Sequence, residues 1–353
     1  RGEHVEAVGD RSKCGLFCIC IHGASNAAWN RRDPAETSCM QALNRHSFLA
    51  LTGAALALPA AAGAADPVTL KMAGVPEDSA TTVLYGVQSG LFKASGLDVA
   101  MDPQHNGPSV MSGVIGNSYQ FGKSSTPPLL SAVSKGLPFT IIWPAGLYDA
   151  RAPIAGLLVK TDGAIKKAAD LNGKTIAVGA LNDIHSLATM AWMDKNGGDS
   201  TSVKFTEIPI AEIPIAIAQG RVVAGSVNEP VLSAALDDKT LRSLGAHFSG
   251  IAPRFMYTAW FTTKTYASAN PAVVKSVGQA LRKASDYVNG HHAQTIDLIA
   301  KFTSLEPAQV QKMTRVEQGT VLDPALIQPV IDAMVKYKFL AQPIDAKEIL
   351  FKA

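Results

Sequence analysis

Residues 89–99 read Ser-Gly-Leu-Phe-Lys-Ala-Ser-Gly-Leu-Asp-Val, the junction between a helix and a strand. Upstream, Ala80 to Phe92 carries a helical pattern that closes on Gly90-Leu91-Phe92-Lys93. Downstream, Gly96-Leu97-Asp98-Val99 leads into an extended run over Leu97 to Met101. Val68 to Ala73 forms a short apolar strand ahead of the helix, so the stretch reads strand, helix, strand. The alternation continues. Ser109 to Ile115 and Pro128 to Ser134 are helical, whereas Tyr119 to Gly122 and Phe139 to Trp143 are extended. Short apolar strands alternating with helices predict an α/β architecture built on mainly parallel sheet.

The pattern restarts near residue 153. Ile154 to Val159, Thr175 to Val178, Val203 to Ile208 and Val222 to Val227 read as strands, with a helix over Ser186 to Lys195. From Asn270 the character changes to a helical tail. Asn270-Pro271 and Asp323-Pro324 each pair a capping side chain with proline at the first helical position. Val273, Val274, Val277, Leu281, Ala284 and Val288 share one helical face, which reads as core. The restart and the loop Ser249 to Arg254 predict two crossings between two lobes. Residues 66–152 plus 256–353 would form lobe I, and residues 153–255 lobe II. A lobe inserted into another leaves two connecting segments, and so a hinge around a cleft.

Met40 to Ala65 reads as a secretory signal peptide. Arg45 and His46 supply the positive end, Phe48 to Leu58 the apolar run, and Ala62-Gly63-Ala64 a small-residue cleavage site. The apolar run falls short of the roughly 20 residues needed to span a bilayer. Residues 40–65 are therefore expected to direct export to the periplasm and to be removed. Residues 1–39 are expected to be a mis-assigned upstream translation. All four cysteines, Cys14, Cys18, Cys20 and Cys39, precede Met40. The mature chain would then have no disulfide, no thiolate nucleophile and no Cys-ligated metal.

Charge is nearly balanced, with 32 basic against 29 acidic residues. Without long charge runs, this gives no reason to invoke nucleic acid or an anionic membrane surface. No apolar run after residue 65 is long enough to embed the chain in a membrane. No Ser/His/Asp arrangement, Gly-rich phosphate loop or metal motif stands out. The neighbours His291 and His292 point to different faces of a helix and make a poor metal site. Neither a cofactor nor a catalytic residue is expected.

The motif at 89–99 resembles the nitrate/sulfonate/taurine-type periplasmic substrate-binding proteins of ABC importers. Further matches come in family order. They are Lys135-Gly136-Leu137-Pro138, Ala169-Asp170-Leu171-Asn172-Gly173-Lys174-Thr175-Ile176-Ala177-Val178, Ala218-Gln219-Gly220-Arg221-Val222 and Asn228-Glu229-Pro230. Single motifs are weak, but their order over roughly residues 66 to 260, behind an export signal, is specific. The resemblance implies a two-lobed, type II-like periplasmic binding protein that closes on a small-molecule ligand. It further implies delivery to an ABC permease with a separate ATPase, and a monomer. Related enzymes of the thiamine-pyrimidine-synthase kind rely on a cysteine-rich iron motif and a cofactor-bearing lysine, for which Lys71 or Lys123 would have to serve. A periplasmic ligand-sensing subunit is a further alternative.

In such sheets ligands sit beyond the carboxyl ends of the strands, where helix N-termini offer unsatisfied amides. Four segments qualify. Gly74 to Ser79 contains Glu77 and Asp78, and Asn106 precedes the second helix. Ser124, Ser125 and Thr126 put three hydroxyls before a proline-started helix. Asn182, Asp183 and His185 take the equivalent place in the second lobe. Asn228 and Glu229 end a strand facing the cleft. Trp143 and Arg254 mark the two crossings, as stacking partner and counter-ion or as hinge contacts. Most of these residue types also serve as plain N-caps. Acids outnumber bases in these loops, which suits a neutral, zwitterionic or amine-bearing ligand better than bare nitrate.

Overall fold

Val68–Gly74 forms β1 and Leu97–Pro103 forms β2, paired in parallel from Val68↔Leu97 onward. The connecting helix is split. α1 spans Thr81–Gln88 and α2 spans Leu91–Ala94, because Gly90 takes a φ of 75° that interrupts the helical turn. α3 (Gly107–Ile115), β3 (Phe121–Ser125), α4 (Thr126–Ser134) and β4 (Phe139–Asp149) follow. The computed structural model describes residues 66–237 and 239–352. The expected leader at 40–65 and the segment 1–39 lie outside the described residues.

The chain then builds a second sheet. Its elements are β5 (Ala155–Lys160), β6 (Thr175–Val178), α5 (Ile184–Lys195), β7 (Lys204–Glu207), α6 (Ile213–Ala218), β8 (Ala224–Asn228), α7 (Val231–Leu236) and β9 (Leu241–Ser243). β10 (Arg254–Thr263) returns to the first sheet. The tail comprises α8 (Lys264–Ala269), α9 (Pro271–Gly290), α10 (Ile296–Thr303), α11 (Pro307–Lys312), α12 (Gln328–Lys336) and α13 (Ala346–Ile349).

The sheet orders are β2-β1-β3-β10-β4 and β7-β6-β8-β5-β9. Both are mixed. In the first, only β10 runs against its neighbours, and in the second only β5 does. These are the strands that enter a sheet from the other lobe, so the reversal follows from the crossing itself. The fold is thus bilobed α/β, each sheet flanked by helices.

Helices cover both faces of the first sheet. Val83, Phe92, Val274, Val277 and Leu281 pack on one side, and Val110, Leu129, Leu130, Ile331 and Met334 on the other. The apolar stripe of α9 is accordingly core. The core on the α12 side continues into the second lobe through Tyr148, Phe255, Phe248, Ile184 and Leu187. β4 and β10 lie side by side there and end at the pair Asp149↔Arg254. Among the described residues no helix is long and apolar enough to cross a membrane.

Candidate functional site

The carboxyl ends of β1, β2, β3 and β6 face one cleft between the sheets. It is lined by Val75, Glu77, Asn106, Gly107, Lys123, Ser124, Ser125, Asp183, His185, Ile210, Tyr257 and Thr258, among others. α3 and α4 from one lobe and α5 from the other start at this cleft, so partial positive charge converges there from both sides. The free space within this cleft is about 40 Å³, room for only a few waters. A second, outer chamber of about 420 Å³ shares Val75, Glu77, His105 and Ile210 with it. Pro103, Pro209, Val231, Phe302 and Leu305 make that chamber largely apolar.

Glu77 divides the two spaces. Its carboxylate accepts a short hydrogen bond from Lys123 Nζ, a 3.0 Å bond from Ser79 Oγ and a 2.6 Å bond from Asn228 Nδ2. Lys123 Nζ also donates to Ser79 Oγ at 2.8 Å and is almost wholly buried. Burial pushes the Glu77 carboxyl up, but the Lys123 charge and the three donors outweigh it and hold the group below the usual range. Asn228 belongs to β8 and Glu77 to the loop after β1, so this bond joins the lobes. Asn106 Nδ2 makes a second such contact, to Glu207 Oε1 at 3.2 Å, while its Oδ1 caps α3 through Ser109 N at 2.9 Å.

The acids that suggested a neutral, zwitterionic or amine-bearing ligand are already committed. Asp78 is fully buried and faces the tail, where it accepts from Arg315 Nε and Nη2 at 3.0 Å and from Val316 N at 2.7 Å. Asp183 caps α5 through His185 N and Ser186 N, both at 3.0 Å, and burial raises its pKa. Glu229 is held by Ser233 N, Ser233 Oγ and Thr314 N; it lines the outer chamber, and burial raises it too. Asp149 pairs with Arg151 and Arg254 at the crossing. The excess of loop acids therefore says nothing about ligand charge.

What remains uncommitted is mostly hydroxyl and imidazole. Ser124 Oγ and Thr258 Oγ1 are buried without a hydrogen-bond partner. Tyr257 OH also lacks a bond of normal geometry, although the hydroxyls of Ser79 and Thr258 lie near enough to influence its titration. A buried hydroxyl left unpaired costs about 1–3 kcal/mol, and the hydroxyls of Ser124 and Thr258 mark where a ligand's polar atoms would satisfy them. Gly107 makes room for Ser124, since a Cβ there would meet Ser124 Oγ at 2.3 Å.

Of the thirteen residues singled out from sequence, Glu77, Asn106, Ser124, Ser125, Asp183 and His185 line the inner cleft, and Asn228 and Glu229 the outer chamber. Five do not reach either. Asp78 turns to Arg315, and Thr126 Oγ1 donates to Met256 O at 3.1 Å. Trp143 Nε1 donates to Gly319 O at 2.9 Å on the tail side. Asn182, with a φ of 57°, is exposed at the turn before α5. Arg254 bridges Asp149 and Glu317 at the crossing. Missed were Tyr257 and Thr258 on β10 and the buried pair Ser226 and His247 behind His185. The visible signal was the polar pair Tyr257-Thr258 inside the apolar run over residues 255–261. Among the described residues no group of three or more His, Cys, Asp or Glu could hold a metal ion.

The chain belongs to the NMT1/THI5-like family, whose model matches residues 78–295. No curated protein matches it in sequence. Solved structures share the fold. The alkanesulfonate-binding protein SsuA from Xanthomonas axonopodis pv. citri, bound to MOPS, is 21% identical, with a TM-score of 0.69 over 82% of this chain and 100% of that one. The aliphatic sulphonate-binding protein SsuA from Escherichia coli is 20% identical, with a TM-score of 0.64 over 81% and 92%. The desulfurization enzyme DSZB is 16% identical, with a TM-score of 0.55 over 80% and 96%.

Proposed function

We propose that the protein is an extracytoplasmic solute-binding protein that closes two lobes on a small, acceptor-rich ligand and passes it to an ABC permease. The observation that carries this is the convergence of uncommitted donors from both lobes on one cleft. Ser124 and Thr258 come from one side, and His185 from the other. A ligand that touches both sides favours the state in which both are near, so binding shifts the population toward closure.

The lobes would comprise residues 66–152 plus 256–353, and 153–255, hinged where β4 and β10 meet. An oxyanion or carboxylate head suits the inner donors, and the apolar outer chamber suits a compact organic body. Alkanesulfonates have that shape, and the likeness to SsuA supports testing them first. A leader at 40–65, as the sequence reads, would direct the chain to the periplasm, and the energy for import would come from a separate ATPase.

An enzyme of the pyrimidine-synthase kind is the second reading, favoured by the family and by the likeness to DSZB. Lys71 is exposed on β1, whereas Lys123 lines the cleft. However, the Lys123 ammonium is tied to Glu77 and Ser79, which leaves no free amine for a cofactor aldehyde. Binding is therefore the preferred function. Thermal unfolding with nitrate, alkanesulfonates, taurine, pyrimidine precursors and small aromatic acids tests it. Ligand at about 100 times its Kd adds about 2.7 kcal/mol, several degrees in Tm. A shift confined to one anionic class supports the reading. A shift with pyridoxal phosphate alone, with an absorbance band beyond the aromatic range, would replace it with the enzyme.

A further inference from the structure

Behind the cleft, three buried groups form a chain that capping and packing do not require. His185 Nδ1 lies 2.7 Å from Ser226 Oγ, and Ser226 Oγ lies 2.5 Å from His247 Nε2. Ser226 and His247 are fully buried, and His247 Nδ1 has no partner. His185 lines the cleft, and with Nδ1 committed, Nε2 is the ring nitrogen left for a ligand.

We propose that Ser226 and His247 form a relay that fixes His185 as its Nε2–H tautomer, so that the cleft is offered an imidazole N–H donor. The assignment rests on counting protons. Serine has one O–H to donate and lone pairs to accept. If Ser226 donated to His247 Nε2, the His247 proton would sit on Nδ1, where no acceptor exists. If Ser226 accepted from both rings, its own buried O–H would be unspent. An orphaned buried donor is rarer than an under-used acceptor. One arrangement leaves neither: His247 Nε2–H donates to Ser226 Oγ, and Ser226 O–H donates to His185 Nδ1. The only unmet atom is then the bare lone pair on His247 Nδ1.

Burial lowers the His247 pKa well below the usual histidine range, so its ring stays neutral as the scheme requires. Ser226 lies behind His185 with no access to the cleft, so it is a positioning residue. The proton carried on His185 Nε2 would meet an acceptor atom, and the relay thereby deepens the binding reading above, on which its consequence for ligand choice rests.

Nitrogen-15 NMR of the ligand-free full chain tests the relay directly, with the His185 signals assigned by their loss in His185→Gln. The expected spectrum has His185 bare at Nδ1 and protonated at Nε2, and a Ser226→Ala variant should show an averaged tautomer signal. In the same variant, affinity for whichever of nitrate or methanesulfonate binds the wild type should fall about tenfold. A His185 Nδ1–H tautomer in the wild type, or a spectrum unchanged by Ser226→Ala, would overturn the relay. If the expected tautomers appear and neither probe binds, the relay stands and the anion reading of the cleft fails.

Discussion

Asn228 donates to Glu77 Oε2 across 2.6 Å, from the end of a strand in one lobe to the loop after β1 in the other. The acceptor is a carboxylate already held by buried Lys123, so the contact is a charge-assisted bond at the boundary of the inner and outer spaces. Such bonds contribute about 1.5–3 kcal/mol. Asn228→Ala should therefore shift the ligand-free protein toward an open form. Small-angle X-ray scattering would register this as a larger radius of gyration; an unchanged radius would mean that the bond does not hold the lobes.

Lys123 depends on Glu77 in the same way. Glu77→Ala leaves a buried ammonium without its counter-charge, and breaking a buried pair from one side costs about 3–5 kcal/mol. Urea unfolding should show a loss in that range. The acid limb follows from the depressed Glu77 carboxyl. Its contribution is complete above the unfolded value of 4.5 and is lost as pH falls through the lower folded value. Glu77→Gln should remove that part of the acid destabilisation below about pH 4.5, while retaining the bond from Asn228 only if the amide turns its oxygen toward it.

Asp183 behaves with the opposite sign. Burial raises its carboxyl above 3.8, so the folded protein takes up a proton before the unfolded one does, and stability rises as pH falls through the folded value toward 3.8. Asparagine caps helices as well as aspartate. Asp183→Asn should keep α5 in place and flatten that segment of the curve of Tm against pH. A slope identical to the wild type would show that Asp183 is not its source.

The sequence made the lobes legible because each element is short, apolar and punctuated, and the leading motif places Gly90 and Gly96 where the chain turns. β4 was predicted to stop at Trp143 but continues through Pro144 to Asp149. Proline is tolerated there because β4 is an edge strand. The pairing also shifts register around Pro144. Ser124, Ser125 and Asn106 were legible because they precede helices, and His185 because it lies in the first turn of one. Tyr257 and Thr258 were not, because β10 brings them to the cleft by pairing Thr258 with Ser125, 133 positions away in sequence. Asp78 and Thr126 sit in cleft loops by sequence, yet each side chain is claimed by a partner more than 100 residues distant, Arg315 and the Met256 carbonyl.

The orphan hydroxyl of Ser124 separates stability from function. Ser124→Ala removes an unpaired buried polar atom, so the ligand-free Tm should hold or rise slightly while a ligand hydrogen bond is lost.

Isothermal titration of the stabilising compound into the wild type, Ser124→Ala and Asn228→Ala tests the central claim, that ligand binds between the lobes at this cleft. About tenfold weaker binding in each variant, with the fold intact, is the predicted result. Equal affinity in all three proteins would place the ligand elsewhere and contradict the account.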